Sequence, residues 1–152
     1  MPAPASPAGI AARAARIVEE FQALGDWIDR YRYLVELGER MPRLGEAERT
    51  DEHRLPGCQY ALWLVCAYDP AAGVLRIRAD SDARITRGLA ALLVSVLDGQ
   101  PPAVVANAEM QFLDAMGLRT HLSAQRGAGL AALIDELRRR ARQCGGRQEE
   151  PS

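Results

Sequence analysis

Lysine is absent. All 19 positive side chains of this 152-residue chain are arginine, so it supplies neither the amine for a Schiff base with pyridoxal phosphate nor the lysine of a phosphate-binding P-loop. Chemistry that depends on either must come from a partner. Cysteine is scarce as well. Three residues make an odd number for a disulfide framework, and neither CxxC nor a paired Cys/His zinc spacing occurs. That usage implies reduced thiols and a cytoplasmic protein. Long apolar runs are missing: even residues 88–97 stop well short of the ~20 residues that span a bilayer. The formal net charge is −1, with no basic block of the kind that tracks a phosphate backbone, which argues against nucleic acid as a partner.

What is present suits one domain with a buried core. The opening MPAPASPAG lacks the charged start and apolar stretch of a secretory signal, and a flexible tail is expected over residues 1–9. The closing GGRQEEPS predicts a disordered tail over 144–152, leaving a domain over 10–143. From Ile10, Ala14, Ile17, Val18, Phe21 and Leu24 recur at helical spacing, with Gly25 as the C-cap. Asp26 then caps a second helix with Trp27, Tyr31, Leu34, Val35 and Gly38 on one face, ended by Pro42. Residues 43–57 form a charged connector, in which 50–55 can add an edge strand.

After it, Tyr60, Leu62, Leu64, Cys66 and Tyr68 alternate with Ala61, Trp63, Val65 and Ala67, a strand whose two faces both look covered. DPAAG at 69–73 is turn chemistry, and VLRIRAD at 74–80 alternates again, predicting a hairpin. Ser81 or Asp82 starts a helix whose body, ITRGLAALLVSVL, is apolar nearly all round. Short helical pieces are expected at 102–107 and 109–116, then a final helix from the Ser123 cap to about Arg142, with Leu130, Leu133, Ile134 and Leu137 inward. The fold class is α+β: a small antiparallel sheet packed by helices.

The residues single out Cys58. It stands directly after Leu55-Pro56-Gly57 and before the strand, where a turn ends. A free cysteine is often only a small buried hydrophobe, and Cys66, inside the apolar alternation, suits that reading. Cys58 sits at a loop-to-strand junction beside a glycine, a place where reactive groups are commonly held. His53 is close in sequence, but no third member of a Cys/His triad is identifiable, and a metal site from His53, Cys58 and Cys66 lacks a fourth ligand. Cys144 reads as incidental, His121 as structural near the cap of the last helix. Asp80 and Asp82 suit the N-terminus of a helix. Arg126, in a first helical turn where the dipole disfavours positive charge, points to a contact beyond its own helix.

Four separated stretches, YLVELGERMPRL, RLPGCQYALWLV, ADSDARITRGLAALL and GLRTHLSAQRGAGLAALIDEL, come in an order that resembles the SufE family of sulfur-acceptor proteins over roughly residues 26–142. The resemblance implies an α+β domain similar to the IscU type. It also implies that Cys58 accepts persulfide sulfur from a cysteine desulfurase of the SufS or CsdA kind, stimulates that enzyme, and passes sulfur to an iron–sulfur scaffold. Gly57, Gln59 and Tyr60 would support the loop, and Asp82 and Arg126 would meet the partner. No cofactor or metal is expected on this chain, since pyridoxal phosphate would reside in the desulfurase. Members usually follow Gly-Cys-Gln with a serine, where this chain has Tyr60. The competing readings are a peroxidase-like thiol enzyme using Cys58 and an adaptor without chemistry.

Overall fold

The computed structural model describes residues 7–56 and 61–149. Among them the element order is α1 (Pro7–Ala23), α2 (Trp27–Arg40), β1 (Leu62–Asp69), β2 (Val74–Ser81), α3 (Arg84–Leu97), three short helices α4 (Pro102–Ala106), α5 (Gln111–Ala115) and α6 (Leu118–His121), and α7 (Ala124–Glu149). The fold is α+β, with α3 at the centre of the core.

The α1–α2 corner is built from polar side chains that satisfy helix ends. Ile28 N–H donates to the Asp26 carboxylate at 2.7 Å, while Arg30 Nε donates to the orphan carbonyl of Leu24 at 2.8 Å. Gly25 is not a left-handed cap, because positive φ among the described residues is confined to Gly73, Gly99 and Gly117. Arg30 supplies the C-terminal capping instead.

β1 and β2 pair antiparallel from Leu62↔Ser81 to Asp69↔Val74. The turn between them is closed by Asp69, whose carboxylate accepts from Ala71 N–H at 3.1 Å and Ala72 N–H at 3.3 Å, and by Gly73 at φ 69°. Leu62, Leu64, Leu75, Ile77 and Ala79 are buried against the helices. The opposite face is less covered than the alternation implied: Trp63 and Val65 are half-buried and Ala67 is exposed. The expected edge strand at 50–55 shrinks to one bridge, Arg54↔Trp63, flanked by Leu55 N–H to Leu62 O and Leu64 N–H to His53 O, both 2.9 Å.

Two glycines set the distance between α2 and α3. A Cβ on Gly88 would lie 2.2 Å from the Leu34 carbonyl oxygen, and one on Gly38 would lie 3.0 Å from Gly88 N. Backbone therefore packs on backbone, which brings the C-terminal end of α2 against the N-terminal end of α3.

Three boundaries differ from the sequence expectation. The tail expected over 1–9 yields to α1 from Pro7. The tail expected over 144–152 yields to α7, which continues to Glu149. Gly145 and Gly146 each cost only about 1 kcal/mol in a helix, too little to stop one already nucleated and flanked by arginine, glutamine and glutamate. Finally, α3 begins at Arg84, after an Ala83 that makes no side-chain cap. Ser81 ends β2 instead of starting the helix.

Candidate functional site

The loop holding the candidate thiol is fixed at both stems. Leu55 and Leu62 are hydrogen-bonded across it, so the chain leaves at Pro56 and returns at Ala61 at one end of the hairpin. Gly57, Cys58, Gln59 and Tyr60 lie outside the described residues. The returning stem is tied to the start of α3: the Ala61 carbonyl accepts from Ser81 Oγ at 2.6 Å and from Asp82 N–H at 3.4 Å. Ser81 Oγ in turn accepts from Ala83 N–H at 3.2 Å. One serine thus joins the cysteine loop to the β2–α3 junction.

Beside this junction lies a cleft of about 300 Å³ whose rim carries Glu39, Arg43, Asp82 and Arg84. Asp82 is exposed. Arg84 pairs with Glu39 at 3.3 Å, with both side chains largely in water, so the pair adds little to stability. These groups are available to an incoming surface.

The groups behind the cleft lining differ in kind. Asp80 is fully buried, so it does not serve as the exposed helix-start charge that its sequence position suggested. Its carboxylate accepts from Ser81 N–H at 2.8 Å and Leu44 N–H at 3.2 Å. It also faces the Arg87 guanidinium at 3.6 Å and Arg43 Nε at 3.6 Å. Arg87 further donates to the Met41 carbonyl. A buried carboxylate needs such partners because an unpaired ion in the interior is costly. Here they come from the chain after α2, from the end of β2 and from α3, so the pair clamps the cleft walls together. Neither Arg43 nor Arg87 stood out in the sequence. An arginine inside an otherwise apolar helix was the available signal.

Arg126 lies in the first turn of α7, which Ser123 caps through Arg126 N–H to Ser123 Oγ at 3.2 Å. The residue is half-buried, and no described hydrogen bond or ion pair links it to Asp82 or to the loop stems. The two expected docking residues thus stand apart in the chain, Asp82 at the β2–α3 junction and Arg126 on α7. His121 has the structural setting expected of it, stacked on Trp27 with centroids 3.7 Å apart and rings 13° from parallel.

His53 is tied locally, its Nδ1 lying 2.8 Å from the Glu48 carbonyl. Cys66 faces the helices and is largely desolvated, which pushes its thiol up to about 12. At neutral pH it stays protonated. Among the described residues, no group of three or more His, Cys, Asp or Glu side chains is arranged to hold a metal ion. No described helix is long and apolar enough to cross a membrane.

Comparison with known proteins places these features. Residues 15–141 match the family model SufE, described as an Fe–S metabolism associated domain. An uncharacterised SufE-like protein of Rhizobium etli is 37% identical over 130 residues, covering 84% of this chain and 88% of its own. Another from Rhizobium meliloti is 35% identical over 132 residues, covering 83% and 92%. The solution structure of a hypothetical protein from Thermus thermophilus superposes with a TM-score of 0.71 over 86% of this chain and 94% of its own, at 22% identity. That likeness concerns the fold.

Proposed function

The chain belongs to the SufE family, whose domain is associated with iron–sulfur metabolism, and we propose that within it Cys58 is a sulfur acceptor for a cysteine desulfurase. The match over residues 15–141, which contains the Gly57-Cys58-Gln59 loop between its two stems, is the observation that carries this reading.

In the transfer, the Cys58 thiolate attacks the terminal sulfur of a persulfide on the partner. A new S–S bond forms at Cys58, the partner's S–S bond breaks, and the partner's cysteine leaves as a thiolate. No net oxidant is needed, because the sulfane sulfur moves already oxidised. Release of sulfur from cysteine requires pyridoxal phosphate, and with no lysine to hold it that step falls to the desulfurase. The persulfide then passes to an iron–sulfur cluster scaffold in the cytoplasm.

The surroundings of the loop support docking. Its returning stem is held by Ser81 and Asp82, next to a rim of exposed charges of both signs. Such a rim sets orientation and encounter rate more than affinity. Arg126 would meet the partner separately, from the start of α7.

The experiment is incubation with a cysteine desulfurase and L-cysteine, followed by intact mass. Wild-type protein is expected to gain one or more sulfur atoms and to raise sulfide release in the presence of reductant. Cys58→Ser should do neither, with its melting temperature unchanged. Sulfur on the Cys58→Ser protein would refute the assignment. A peroxide-consuming activity without sulfur uptake would favour a thiol peroxidase.

A further inference from the structure

The fold brings the other two cysteines together. Arg140 on α7 donates to the carbonyl of Leu64 on β1 at 2.7 Å, which fixes the helix against the strand at that level. Cys144 follows one helical turn after Arg140, and Cys66 follows two strand residues after Leu64 on the same face. Cys144 lies near enough to Cys66 to act on its thiol electrostatically, and Arg140 also hydrogen-bonds to that thiol. Accordingly both cysteines pack against the core as partly buried free thiols. Both line one polar cleft of about 300 Å³ that also holds His53, Arg140 and Gln143.

We propose that Cys66 and Cys144 are a second thiol site, a dithiol that exchanges with low-molecular-weight disulfides of the glutathione type and closes into an intramolecular disulfide between β1 and α7. The site is separate from the Cys58 chemistry and does not depend on it.

The order of events follows from burial. The Cys66 thiol, pushed up to about 12 by desolvation, stays protonated at neutral pH, so Cys144 attacks first. Its thiolate bonds to one sulfur of the small disulfide, whose S–S bond breaks and releases one thiolate. Cys66 then loses its proton and attacks the Cys144 sulfur, expelling the second small thiolate. Two protein thiols are oxidised, one small disulfide is reduced to two thiols, and the two protein protons end on the products. His53 also lines the cleft, its Nδ1 donating to the Glu48 carbonyl at 2.8 Å. With three cysteines in the chain, closure of this pair leaves Cys58 as the one reduced thiol.

The test uses the full chain carrying Cys58→Ser, treated with oxidised glutathione at neutral pH without denaturant and read by intact mass and peptide mapping. The expected product is lighter by two hydrogen atoms, yields a linked Cys66–Cys144 peptide pair, and melts higher by on the order of 10 °C, as for closure of a loop of this length. Adding Cys66→Ser should instead trap a glutathione adduct on Cys144, and Cys66→Ala gives the same readout should a buried hydroxyl impair folding. Cys144→Ser should give neither adduct nor link. A persistent glutathione adduct with both cysteines present, no reaction, or a link formed only in denaturant would overturn the proposal. Because Cys58 is absent from the tested protein, failure here leaves the sulfur-acceptor reading untouched.

Discussion

Removing the Asp80 carboxylate tests whether the lining of the cleft is held in place by charge. Asp80 is wholly buried, and the Arg87 side chain is 10% exposed, so Asp80→Ala leaves a guanidinium in the interior facing a void. Arg87 keeps only the Met41 carbonyl, while its Nε already has no partner. Breaking one side of a buried pair costs about 3–5 kcal/mol. For a chain of this size that corresponds to a fall in Tm of roughly 10–15 °C. Arg87→Met is milder, at about 2 kcal/mol, because the carboxylate keeps Leu44 N–H, Ser81 N–H and Arg43. The combined Asp80→Ala/Arg87→Met protein removes both charges and should be more stable than the sum of the single losses, by a coupling of about 1–3 kcal/mol. Urea unfolding of the four proteins, with the m-value checked for constancy, supplies the cycle. Additive losses, or an Asp80→Ala cost below about 1 kcal/mol, would refute the idea that this pair clamps the cleft.

Gly88→Ala places a methyl 2.2 Å from a backbone oxygen of α2, so the helices must part. A loss of about 3 kcal/mol is expected in thermal unfolding, and an unchanged Tm would show that α2 and α3 are not held by close approach. Charge reversal at the expected docking positions should separate binding from folding: Asp82→Arg and Arg126→Glu are each expected to leave stability within about 0.5 kcal/mol. Titration against a cysteine desulfurase should show altered affinity for both, weakened for Arg126→Glu, whereas a lost fold with unaltered affinity would make these residues structural.

Sequence alone determined the parts of this protein governed by local rules. The Asp26 cap, the Asp69–Gly73 turn and the hairpin on either side of it are legible because each depends on residues only a few positions apart. The burial of α3 is legible because its body is apolar nearly all round, with little of it suited to water. The ordered stretches around Gly57-Cys58-Gln59 likewise carry the family, since motif order is a property of the chain.

Tertiary structure decided everything that depends on which distant groups meet. The charge of Asp80 was visible, but its burial depends on Leu44, Arg43 and Arg87 converging from other elements. Gly38 and Gly88 carry no mark of the contact between them, because the Cβ that would forbid it is missing from both. Cys144 follows the helical spacing of Leu137 and Ala141, but Gly145 and Gly146 after it pointed to a tail, and only the fold shows α7 continuing through it. That it shares a cleft with Cys66 could not be read either, because spacing fixes which side of a helix is buried and only packing fixes what lies opposite.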